Sequence, residues 1–143
     1  MTAATLDIAH VQAVCAGEPR VLVCTLFGSA QRGRQRAHSD VDLAIVTRAP
    51  LPAAAKCALY HALSAGCAAE LDVAWIHHDS APTVAREAVV LGTKVYEAHA
   101  DAFADAVSLH GRRYMDCEIF FRRRTARLRH QIMELNADVA RGA

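Results

Sequence analysis

At 143 residues, 53% of them hydrophobic and 22% charged, the chain has the size and apolar content of one ordinary globular domain rather than of a disordered chain. A net charge of +1 gives no general argument for nucleic-acid binding, and no apolar run approaches the ~20 residues that span a bilayer. Five cysteines without a Cys-x-x-Cys pair (Cys15, Cys24, Cys57, Cys67, Cys117) read as free thiols of a reducing compartment. With an N-terminus lacking the basic start and long apolar stretch of a signal peptide, this sets the expectation of a cytoplasmic protein.

In chain order, Leu6 to Ala16 carries Ile8, Val11 and Cys15 at helical spacing and breaks at Gly17 and Pro19. Val21 to Phe27 is a continuous apolar, β-branched-rich run, the pattern of a strand covered on both faces. It ends at Gly28-Ser29, a turn signal. Val41 to Val46 reads as a second buried strand. Pro50 and Pro52 then separate it from an Ala-rich helix, about Ala53 to Ala65, with Leu59 and Leu63 on one face. A third strand, Glu70 to Ile76, leads through His77-His78-Asp79 and Pro82 to a helix ending near Gly92. Lys94 to Glu97 completes the sheet. Adjacent His77 and His78 would point to opposite sides of a strand, so a shared metal ion is not expected there. The alternation predicts an α/β (α+β) fold: a small mixed β-sheet flanked by helices, in a single domain spanning 1–143.

The last third, about 99–137, predicts a helical C-terminal region. Phe103, Val107, His110, Tyr114, Cys117, Phe121, Leu128, Ile132 and Leu135 recur at three- and four-residue steps, read as a core-facing stripe, which a helix extending past the domain would instead offer to a partner, with Gly111 placed to kink or divide the run. The stretch from Arg122 to Arg129 is strongly basic and reads as a solvated cationic face or a docking surface for a partner protein. A basic patch without a recognisable RNA module is weak support for direct nucleic-acid binding.

The chemistry concentrates where Gly28-Ser29-Ala30-Gln31-Arg32-Gly33 precedes Ser39-Asp40-Val41-Asp42-Leu43. Glycine permits close backbone approach to a ligand, Ser29 adds a hydroxyl, and Arg32 can offer a planar fork to phosphate. Asp40 and Asp42 are two apart and share one side of a strand. Two carboxylates so placed repel unless a cation sits between them, and Mg²⁺ takes carboxylate and phosphate oxygens together. Asp72, near the start of the third strand, is the candidate third acid or base. Alone, each of these features is an ordinary turn or a solvated strand end; their order and spacing carry the reading.

Together GSAQRG, SDVDL and LDVAWI resemble the minimal nucleotidyltransferases of the DNA polymerase β superfamily. The similarity continues through Ala85 to Glu97 and His110 to Asp116, covering roughly residues 8 to 130. The basic spacer 34–38 departs from the expected pattern. The resemblance implies the polymerase β-like fold with a C-terminal helical extension, and an enzyme. Gly28, Ser29, Arg32 and Ser39 would hold ATP, and Asp40, Asp42 and Asp72 would bind two Mg²⁺ ions and carry catalysis. It further implies the antitoxin of a toxin–antitoxin pair, transferring AMP from ATP to a tyrosine of a partner HEPN ribonuclease. Such ribonucleases carry an Arg and a His with four residues between them; none of the eight histidines here has an arginine at that offset. Two alternatives stay open: a nucleotidyltransferase for a small molecule of the aminoglycoside type, and a non-catalytic antitoxin acting by contact alone.

Overall fold

A computed structural model describes residues 6–28 and 40–142. Four strands, β1 (Val21–Phe27), β2 (Val41–Thr47), β3 (Leu71–Ile76) and β4 (Thr93–Glu97), form one mixed sheet in the order β3-β2-β1-β4. The helices are α1 (Ile8–Ala16), α2 (Ala53–Ser64), α3 (Pro82–Ala85, running into a π-helical turn Arg86–Val90) and α4 (Ala102–Arg141). β1 runs antiparallel to β2 and β4, whereas β2 and β3 are parallel. A parallel pair needs a crossover connection, and α2 supplies it.

Both sheet faces are covered, which is why β1 and β2 read as unbroken apolar runs. On one face Val41, Leu43 and Ile45 pack with Val11 and Cys15 of α1 and Leu59 and Leu63 of α2. The Asp7 side chain accepts from the His10 N–H at 3.1 Å and caps α1. All five cysteines are free thiols; Cys15 and Cys24 are buried.

On the other face Val23, Ala44, Val46 and Ile76 meet Ala85, Ala88 and Val89 together with Ala102 and Ala106. Small residues let the π-helical turn lie close to the strands. Thr25, buried in β1, donates its hydroxyl to the Ala88 carbonyl at 2.5 Å. At Gly92 a Cβ would fall 2.3 Å from that same carbonyl oxygen and 3.1 Å from the Thr25 Cβ, so only glycine fits. The turn into α4 is fixed by Glu97, whose carboxylate accepts from Lys94 Nζ (2.9 Å) and from the Phe103 N–H (3.1 Å).

The C-terminal region departs from the sequence expectation in two ways. α4 is one continuous helix of 40 residues, about 60 Å long, with no break at Gly111. One glycine costs only about 1 kcal/mol in a helix, and strong helix formers flank it. The apolar stripe is also not core along its whole length. Ala102, Ala106 and His110 are buried, and Arg86 stacks on Tyr114 at 4.6 Å. Further along, Phe121, Leu128, Ile132 and Leu135 are exposed, because the domain ends before the helix does.

Candidate active site

The register of β2 and β3 builds the site. The Val41 N–H donates to the Glu70 carbonyl at 2.8 Å, and from there the parallel ladder sets Asp42 directly beside Asp72. On its other side Asp42 pairs with Phe27, the last residue of β1. The chain then turns at Gly28, with φ +72°, a left-handed conformation that favours glycine. A Cβ there would lie 2.3 Å from Asp42 Oδ2. The Gly28 backbone therefore touches the Asp42 carboxylate as no other residue type could.

Asp40 lies just ahead of β2 and is exposed, as is Asp72; Asp42 is half-buried between them. Burial raises the Asp42 carboxyl above its ordinary value, and the charges of Asp72 and then Asp40 push it further up. The three acids thus share one electrostatic neighbourhood. Among the described residues no hydrogen-bond or ion-pair partner offsets the mutual repulsion of these carboxylates.

The donor set suits magnesium, a hard ion that takes carboxylate oxygens. Among the described residues no three metal-ligating side chains form a ready-made cluster. Magnesium commonly keeps several waters and completes its shell with substrate phosphates, so a closed protein cage is not required for it. Asp40, Asp42 and Asp72 could hold the ion at the rim of the Gly28 turn. The candidate nucleotide contacts Ser29, Arg32 and Ser39 lie outside the described residues.

Two features escaped the sequence reading. Arg113 on α4 donates to the carbonyls of His78 and Ser80, tying the turn after β3 to the long helix. No local pattern signals such a contact between residues far apart in the chain. His110 is fully buried, and among the described residues neither ring nitrogen has a hydrogen-bond partner. Its place in the helical stripe marked burial, but periodicity says nothing of partners.

Residues 9–101 match the model of the family described as "Polymerase beta, Nucleotidyltransferase". Among solved structures, the chain resembles one from a toxin–antitoxin crystallised with AMP-PNP, at 19% identity and TM-score 0.61, covering 84% of this chain and 99% of that one. A chain of the toxin–antitoxin MntA-HepT matches at 15% identity and TM-score 0.53, covering 82% and 96%. A third comes from a tri-AMPylated Shewanella oneidensis HEPN toxin in complex with MNT antitoxin, at 14% identity and TM-score 0.54, covering 82% and 95%. At these identities the likeness is one of fold. No curated protein sequence matches the chain.

Proposed function

The chain belongs to the polymerase beta nucleotidyltransferase family, and from that premise we propose that it is the antitoxin of a HEPN/MNT pair, transferring AMP from ATP to a tyrosine of its partner ribonuclease in the cytoplasm. The observation that carries this reading is the convergence of Asp40, Asp42 and Asp72 beside the Gly28 turn. The toxin–antitoxin context of the structural neighbours, one with AMP-PNP and one with an AMPylated toxin, supports the choice of substrate and acceptor.

In this mechanism the turn at Gly28-Ser29 receives the triphosphate, assisted by Arg32 and Ser39, while Asp40 and Asp42 hold magnesium. Bound magnesium supplies positive charge that offsets the triphosphate and the developing oxyanions. The tyrosine oxygen attacks the α-phosphorus in line, the bond from that phosphorus to the bridging oxygen breaks, and pyrophosphate leaves. Asp72 orients the hydroxyl and takes its proton, which a free phenol with a pKa near ~10 does not release at neutral pH. Positioning and charge stabilisation carry the rate.

The exposed part of α4 presents Phe121, Leu128, Ile132 and Leu135 beside Arg122, Arg124 and Arg129, a surface fitted to a helical partner with acidic flanks. That feature favours one further reading, inhibition by contact without catalysis. Incubation of the partner with α-labelled ATP and magnesium separates the two. Catalysis predicts label on the wild-type reaction's partner and none with the Asp40→Ala/Asp42→Ala double variant, which also fails to neutralise. Neutralisation by that variant without label would establish the contact reading.

A further inference from the structure

A cavity of about 330 Å³ opens at the opposite end of the same sheet face, where β2 finishes. Val46 contributes to its apolar wall, Arg48, His78 and His99 stand exposed at its rim, and Asp105 and buried His110 face it from α4. Val46 lies four residues beyond Asp42, roughly 13 Å along the strand. The ground between is occupied: Ala44, Ala88 and Val89 are fully buried there, and the Thr25–Ala88 hydrogen bond holds the π-helical turn over the middle of the sheet. The cavity is therefore separate from the three acids.

His110 is the informative residue. Its relative exposure is 0%, and among the described residues neither Nδ1 nor Nε2 has a hydrogen-bond partner. A buried polar ring left so is costly, and an unsatisfied group lining a cavity calls for a ligand. Burial lowers its pKa to about 4, with Arg113 on its own helix and His78 and His77 from the turn after β3 adding to the shift. At neutral pH the ring is uncharged and offers one N–H donor and one acceptor. Arg48 and His99 add further donors around the opening, and Asp105 is the one acid among the lining residues.

We propose that this cavity binds a small organic phosphate, its oxygens held by Arg48 and the rim imidazoles and by the His110 N–H, its carbon body against the apolar wall. Asp105 accepts from a hydroxyl of the ligand or from a protonated phosphate oxygen. A volume near 330 Å³ is at the small end of ligand sites. This site is independent of the reading of the three acids.

Phenyl phosphate, which has neither base nor triphosphate, is the probe. Titrated into the full-length protein carrying ¹³C-labelled histidine, it should shift the His110 ring resonance saturably and raise the pKa of that ring. Arg48→Gln, at an exposed position, should weaken binding about tenfold, whereas Asp42→Asn should bind as tightly as wild type. Calorimetry gives the same affinities without needing the His110 assignment. The proposal is overturned by the absence of saturable binding into the millimolar range, by undiminished affinity in Arg48→Gln, or by loss of binding in Asp42→Asn.

Discussion

Asp42 is the residue on which structure and chemistry press hardest. Its native pKa lies above the ordinary 3.8, so the ionised form is disfavoured by folding. Stability therefore rises as pH falls through the native pKa, and the penalty is fully present at neutral pH. Asp42→Asn should accordingly raise the melting temperature at neutral pH, and the gain should vanish near pH ~3, below the unfolded value. Calorimetry across that range checks it, and an equal shift at every pH would refute the electrostatic cause. Gly28→Ala adds a left-handed alanine and a Cβ 2.3 Å from the same carboxylate. It should cost at least ~1–2 kcal/mol in denaturant unfolding and depress nucleotide transfer. Asp40 and Asp42 were legible as a pair because a strand alternates its side chains. The pairing of Asp72 with Asp42 was not, since register between strands some thirty residues apart depends on α2 and the whole sheet. The bare imidazole of His110 was equally hidden, because its surroundings come from three separate elements.

At the level of elements, β1 was readable residue for residue, and β2, α2 and β4 to within a position or so, because each ends at Gly, Pro or a charged turn. α4 was not. An apolar stripe at helical spacing is the same signal whether it faces the protein's own core or another molecule, and only the tertiary structure shows where the domain stops. Beyond Glu118 every described residue of α4 is exposed. Truncation after Cys117 should therefore leave the cooperative unfolding of the domain within about 1 kcal/mol of the full chain, while abolishing stable association with the partner on a sizing column. A truncated chain that still co-elutes would place the docking surface elsewhere. Pairing of α4 with its own copy in parallel is opposed by Arg124 facing Arg129 across a seam through Leu128, Ile132 and Leu135.

Across the molecule, one sheet sets the places of three regions of the described structure. The strand ends near Gly28 gather the acids, the far end carries the His110 cavity lined by the first turns of α4, and the rest of that helix is exposed beyond Glu118. The π-helical turn keeps the two ends apart. No described helix is long and apolar enough to cross a membrane. Under the proposed function, a partner held by α4 would present its tyrosine to the acids, which makes binding and chemistry separable by mutation. The most direct test is intact mass spectrometry of the partner ribonuclease co-expressed with this chain. The account predicts one or more AMP increments on a partner tyrosine with the wild type, and the unmodified mass with Asp40→Ala/Asp42→Ala. An unmodified, fully inhibited partner beside the wild-type chain would contradict it.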